Sequence, residues 1–369
     1  MATVPVALCL CGDVMTGRGV DQILPHPCSP EIYEPWVRDA REYVKMAEAA
    51  NGPISRPVDF AYPWGDARHA LESADVRIVN LETAVTPDGA PQIDKGIQYR
   101  MHPDNVPCLT AARIDVCTLA NNHVLDWGRG ALLETIEALR QAGIATAGAG
   151  RTLAQAQEVV FAPVRGARVG VLALGETSSG IPRSWAAKQD RSGLWLLRHR
   201  SERQADAVGE RVARVKRRGD IVVASLHWGS NWGYEVPDEH VTFAHALIER
   251  GVDVVHGHSS HHPRPIEVHR DKLVLYGCGD FLNDYEGIAG YEEYRTDLAL
   301  AYMPKIEPTT GRLLELRMVP WRVRRMRLQT PTLDDATWLA DTLSRIGAAY
   351  GTAAAIVPGG ALVLNRHCS

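Results

Sequence analysis

Four imidazoles fall within seven residues at His256-Gly257-His258-Ser259-Ser260-His261-His262. A buried ring needs a partner for its N–H, and imidazole is the commonest side-chain ligand for metals such as Zn, Mn, Fe and Ni. A cluster of this density therefore reads as a metal site rather than as core. The run before it, Val252-Asp253-Val254-Val255, has the apolar character of a buried parallel strand. Open α/β sheets hold their ligands at the carboxyl ends of such strands.

The same pattern recurs along the chain. Val6–Cys11 reads as a central strand running into Gly12-Asp13-Val14-Met15, and Val76–Val79 delivers Asn80-Leu81-Glu82-Thr83. Val116–Ala120 delivers Asn121-Asn122-His123, and Ile221–Leu226 delivers His227-Trp228-Gly229. An aspartate that ends one strand is ordinary turn chemistry. Asp, Glu, Asn-His and His at the ends of successive strands make a constellation. Arg168–Leu174 is a further strand, followed by a polar, glycine-flanked loop at 175–182 that could meet a substrate.

Helices are expected at 66–73, 130–142, 201–217, 239–250 and 332–346, and a hairpin at 265–269 and 272–276. Strands near 298–304 and 312–321 are expected to close a second sheet. Residues 24–65, rich in Pro, Trp and Tyr, interrupt the rhythm. They read as an insertion carrying one helix from Trp36 to Ala50, closed by Asn51-Gly52; it either covers the site or is a surface excursion. Arginines 322, 324, 325 and 327 alternate with apolar residues, as on a solvated strand face. With no internal repeat or low-complexity linker, the reading is one domain over 1–369, with the insertion at 24–65 and a strand/helix extension at about 290–369.

Composition is that of a globular protein, 45% hydrophobic and 23% charged over 369 residues. A net charge of −4 argues against a nucleic-acid footprint, which would be basic. The apolar runs fall short of the roughly 20 residues of a membrane span. Val6–Cys11 is too short for a signal segment, so the expected location is the cytoplasm. Seven cysteines, an odd number without a CxxC spacing, read as free thiols.

Taken in order, Gly12-Asp13-Val14-Met15, Asn80-Leu81-Glu82, Asn121-Asn122-His123, His227-Trp228-Gly229 and Gly257-His258-Ser259-Ser260-His261 resemble the calcineurin-like metallophosphoesterases, and most closely their CapA branch of capsule and poly-γ-glutamate biosynthesis proteins. The resemblance spans roughly residues 6–285. It implies a four-layer α/β/β/α sandwich and two divalent metal ions (Mn, Zn, Fe, Ca or Mg). Asp13 and His261 would hold one metal, Asn122, His227 and His258 the other, and Glu82 would bridge. His123 would be the acid/base. His256 and His262 are surplus to that ligand set. Two departures stand out. The first motif is Asp13-Val14-Met15 where the superfamily has Asp-x-His, and the bridging residue is Glu rather than Asp. Loss of a histidine ligand counsels against vigorous phosphoester hydrolysis.

The activity expected first is an isomerase: a metal-dependent peptide epimerase needing no organic cofactor, similar to the CapA-like enzymes that invert the C-terminal residue of lasso-peptide precursors in ribosomal peptide biosynthesis. The metals would hold the peptide's free carboxylate while His123 removes the Cα proton. Asp280 or His256 would return it from the other face. The alternatives are metal-dependent hydrolysis of poly-γ-glutamate or a related amide, and a non-catalytic CapA-like subunit of a synthase.

Overall fold

The nine-residue strand β1, Val6–Val14, lies at the centre of a ten-stranded sheet. Its parallel neighbours follow in order: β2 (Val76–Leu81), β3 (Val116–Thr118) and β4 (Ala145–Ala147). The chain then crosses to a seven-stranded sheet. There β5 (Ala167–Glu176), β6 (Ile221–His227) and β7 (Val254–His258) run parallel, and the hairpin of β8 (Ile266–His269) and β9 (Lys272–Leu275) finishes the edge. Short β10 (Asp280–Leu282) returns to pair with β1. The computed structural model describes residues 4–366, so Cys368 lies outside the described residues; cysteines 9, 11, 28, 108, 117 and 278 are all free and buried.

Strand alternation sorts side chains into layers. From β1 and β2, Leu8, Leu10, Val76 and Ile78 meet Val169, Val171, Ile221, Val223 and Val254 of the second sheet in one core between the sheets. Their alternates Cys9, Cys11, Val79 and Leu81 face outward, among helices that include α1 (Gly19–Ile23), α2 (Arg41–Asn51) and α3 (Gly128–Gln141). On the far side, Leu172, Leu174, Val222, Ala224 and Leu226 pack under α4 (Glu202–Val215) and α5 (Asp238–Glu249). The result is an α/β/β/α sandwich.

Four expectations change. The strands expected at 298–304 and 312–321 do not belong to the second sheet. β11 (Leu298–Glu307) lies antiparallel against β1 and β12 (Arg312–Val323) against β11, extending the first sheet. Their apolar alternation specifies a buried face but not which partner it pairs with. The late helix α6 (Leu333–Gly347) forms with a Thr332–Asp335 capping box and packs into the core between the sheets. The helix expected from Trp36 starts only at Arg41, with Trp36 71% exposed ahead of it, and it ends where Gly52 takes φ 90°. The run of arginines is not one uniform solvated face, since Arg322 pairs with Asp297 and Asp335 while Arg324 bonds Asn51. Finally, β7 runs through His256-Gly257-His258, so the histidine cluster begins inside a strand flanked by β6 and β9.

Candidate metal centre

Asp13 reaches the site through an irregularity in β1. The register against β2 slips between Cys11 and Asp13, and a Cβ at Gly12 would run into the carbonyl oxygen of Gly279. Asp13 then pairs in register with Asp280 of β10. Asn80 bridges the carboxylates: its Nδ2 donates to Asp13 Oδ1 (2.7 Å) and Glu82 Oε2 (3.0 Å). Asn121 Nδ2 donates in turn to Asn80 Oδ1 at 3.0 Å. Ser259, at φ 104°, gives its backbone N–H to Asp13 Oδ2 at 3.2 Å. A non-glycine residue holding that φ stores strain where the chain turns into the site.

The histidines are wired by protons. His256 Nε2 lies 3.0 Å from the Cys11 carbonyl, an acceptor only, so the ring donates there and its Nδ1 accepts. Ser225 Oγ is 3.2 Å from that Nδ1 and 2.8 Å from His258 Nε2. The hydroxyl proton goes to His256, so His258 donates through Nε2 and its Nδ1 carries a lone pair. His227 Nε2 is 3.0 Å from Asn122 Oδ1, which leaves its Nδ1 likewise unprotonated. These two Nδ1 atoms face each other at 2.8 Å, with Asp13 Oδ1 3.7 Å from the His258 nitrogen.

Two lone pairs at that separation, beside a carboxylate, fit a cation. Ligand atoms of Asp13, His227 and His258 all lie within 4.8 Å of one another. The electrostatics agree. Burial, reinforced by the charge of Asp280, pushes Asp13 up to about 7, and burial with the charges of Asp13 and Asp280 raises Glu82 well above its ordinary range. Burial keeps His227 and His258 neutral, as ligands must be. A divalent ion would relieve that crowding of carboxylates, and the mixed O/N set suits Mn, Fe or Zn. Because Ser225 and His256 fix the His258 tautomer, Ser225→Ala is expected to weaken metal affinity by about tenfold to a hundredfold, read by titration of the metal-stripped chain.

His261 and His123 behave differently. His261 Nδ1 sits 3.1 Å from Asp280 Oδ1 and 3.2 Å from Tyr285 Oη, outside the Asp13–His227–His258 triangle. Burial lowers its pKa, but the charge and hydrogen bond of Asp280 together with the charge of Asp13 outweigh that and raise it. His123 Nδ1 is 2.6 Å from Asp126 Oδ2 and 2.8 Å from Lys95 Nζ. Lys95 has other acceptors in Asp126 Oδ1 and the Asn122 carbonyl, so the Nδ1 proton belongs to the bond with Asp126. His123 Nε2 therefore points its lone pair toward Glu82 Oε1, 3.7 Å away. Burial lowers His123 to about 4, against the pull of Asp126. The ring is neutral and oriented.

Glu82, Asn122, His123, His227 and His261 line one cavity of about 630 Å³. Tyr43, Met46, Ala47 and Ala50 of α2 form part of its wall, so the insertion at 24–65 does reach the site. Arg18 ties that wall down: buried, it donates to Asp284 (2.7 and 2.5 Å) and Glu34 (2.8 Å) and lies 3.7 Å over the Tyr43 ring. Neither His256 nor Asp280 lines the cavity; His256 is spent on Cys11 and Ser225, and Asp280 on His261 and Tyr285. His262 is buried among Tyr234, Trp232 and Tyr294. Trp127 and Trp228 are core, whereas Trp232 stacks on Tyr291 at 3.8 Å. The loop at 175–182 packs behind the cavity wall without lining it, Ser179 Oγ donating to the His227 carbonyl at 3.1 Å and Glu176 meeting His240 at 3.3 Å. Sequence reasoning quoted Asn80 within its motif without giving it a role, and passed over Lys95, Asp126, Ser225 and Tyr285. Only Asp126, one helical turn's spacing after His123, left a readable signal.

A family model described as "Bacterial capsule synthesis protein PGA_cap" matches residues 7–285. A Mycobacterium tuberculosis protein described as a probable polyglutamine synthesis accessory protein is 51% identical over 350 residues, 94% of this chain and 92% of that one. The capsule biosynthesis protein CapA of Bacillus anthracis is 24% identical over 283 residues, 76% of this chain and 60% of its own. A 5'-nucleotidase precursor from Thermus thermophilus superposes with a TM-score of 0.48 at 12% identity, covering 88% of this chain and 56% of that one.

Proposed function

This chain belongs to the PGA_cap family of bacterial capsule synthesis proteins, and from that premise we propose that it is a metal-dependent hydrolase of amide bonds in a glutamine- or glutamate-based polymer, accessory to that polymer's synthesis. The observation that carries this is the oriented His123–Asp126 pair, whose ring lines the same cavity as Glu82 and His227, with its free Nε2 directed at Glu82.

Asp13, Glu82, His227 and His258 would hold a divalent cation, with Asn122 orienting His227 through its Nε2, and the ion would supply Lewis acidity to polarise a carbonyl and acidify water. The protein's own residues do the rest. His123 Nε2 takes a proton from the attacking water and returns it to the leaving amine nitrogen as the C–N bond breaks and the new C–O bond forms. Asp126 holds the ring's tautomer and steadies the transient imidazolium. Lys95, buried against Asp126, fixes that carboxylate in turn. The cavity volume suits a short stretch of chain rather than a whole polymer.

Charge supports the neutral member of the substrate class. Apart from the proposed cation, the positively charged groups among the lining residues are Arg18, Lys95 and His261, each engaged by a carboxylate. No surplus positive charge faces a polyanion from them, which favours glutaminyl over glutamyl units. Epimerisation draws less support, because neither Asp280 nor His256, the groups expected to return the proton, lines the cavity, and another lining group such as Tyr285 would have to take that role.

The test incubates the metal-loaded protein with polyglutamine and poly-γ-glutamate oligomers, and with C-terminal peptides, in D₂O, followed by mass spectrometry. Shortened chains are expected. One deuterium gained at unchanged length would mean epimerisation, and binding without turnover would mean a non-catalytic synthase subunit; either overturns the proposal. Phosphatase activity on a generic aryl phosphate is expected to be weak, since Met15 stands where the superfamily has a ligating histidine and a Met thioether is a poor ligand for hard cations. Steady-state rates on that substrate check this.

A further inference from the structure

A second group of metal-ligating side chains lies away from the cavity. His245 projects from α5, and Glu267 and His269 occupy alternate positions on β8, the edge strand of the second sheet. Ligand atoms from all three lie within 4.8 Å of one another. His245 Nε2 is 2.9 Å from Glu267 Oε1, and the His245 and His269 rings stack in parallel, 3.7 Å between centroids. His269 pairs with Lys272, and Leu273 with Val254, so the group sits toward the amino end of β7, away from His258.

Ordinary packing leaves one feature of this group unaccounted for, and two others suit a ligand site. His269 Nε2 is buried and, among the described residues, has no hydrogen-bond partner, its nearest carboxylate there being Glu249 at 3.7 Å. An imidazole nitrogen in that state is costly unless something fills its lone pair. Burial, helped by the neighbouring His245, lowers the pKa of His269, so the ring is neutral and able to ligate. Tyr276 Oη donates to Glu267 Oε2 at 2.5 Å, which orients the carboxylate as an outer partner orients a metal ligand.

We propose that His245, Glu267 and His269 bind a divalent transition-metal ion of the Zn²⁺ class, riveting α5 to the edge strand β8. Two imidazoles and a carboxylate are a zinc donor set, and three protein ligands leave a fourth position open to water. An i, i+2 pair on a strand and one helical residue fix the three donors on rigid elements. The site is independent of the cavity and of the activity proposed for it.

The test titrates the metal-stripped full-length protein with Zn²⁺ by calorimetry and repeats this with His245→Ala and His269→Ala. Each variant is expected to bind one equivalent fewer than wild type while keeping the uptake due to the first centre, which also reports that it has folded. Tyr276→Phe should keep the equivalent but bind it about tenfold more weakly. In the wild-type protein, the ring ¹⁵N resonances of His245 and His269 should shift when Zn²⁺ is added. Equal stoichiometry in wild type and both variants, or unmoved His245 and His269 resonances, would overturn the proposal.

Discussion

Alanine at Asp13 or at His258 is expected to strip the cavity of its metal and reduce turnover to background. The two residues come from different strands, β1 and β7, and meet only because those strands place their carboxyl ends side by side. Asp13 is one of three carboxylates, with Glu82 and Asp280, buried together at 4% exposure or less. Removing it takes away an anionic ligand and also Asn80's partner, whose amide then lacks an acceptor for one N–H. Removing His258 deletes one of the two facing lone pairs and leaves the Ser225–His256 relay without its end. A site with so few neutral nitrogen donors cannot spare one. Elemental analysis of the purified variants is the measurement, with His262→Ala as the control: that ring packs among aromatics, and its loss should cost stability without changing the metal content of the cavity. Unaltered metal in both ligand variants would remove the assignment.

His123→Ala should give the opposite pattern, with metal retained and rate lost by roughly a hundredfold or more, the usual worth of a positioned acid/base. The ring's only direct link to the cluster is the 3.7 Å approach of Nε2 to Glu82, so the ligands keep their places without it. Asp126→Asn should reproduce much of the loss. The amide can donate to Nδ1, which would turn the imidazole to the tautomer that presents N–H instead of a lone pair to the cavity. Rates and metal content measured on the same preparations separate this from a purely structural role, in which the two would fall together. A His123→Ala variant with wild-type turnover would shift the search to Glu82 and Tyr285, both of which line the cavity.

Much of this was legible in the chain. Buried parallel strands are apolar runs with ligand-bearing residues at their carboxyl ends, so Asp13, Glu82, Asn122-His123, His227 and His258 could be grouped before any coordinates, though that the group is assembled from the strand ends of two sheets rather than one was settled only by the fold. Local patterning likewise marked the hairpin at 265–276 and the helix after Thr332, because turn and cap chemistry is carried by adjacent residues.

Long-range pairing decided the rest. Whether β11 and β12 joined the first or the second sheet depended on which edge β1 left open, and an amphipathic strand carries no label for its partner. His256 looked like its neighbours in sequence, yet it pairs with the carbonyl of Cys11, 245 residues away, and orients His258 instead of meeting substrate. Lys95 came from a stretch with no periodicity at all and reaches His123 only through the fold. The residue types fixed which chemistry was available at the strand ends. Which nitrogen carries a proton, which lone pair faces the cavity and which carboxylates crowd together are set by hydrogen bonds between distant segments, and only the tertiary structure could supply them.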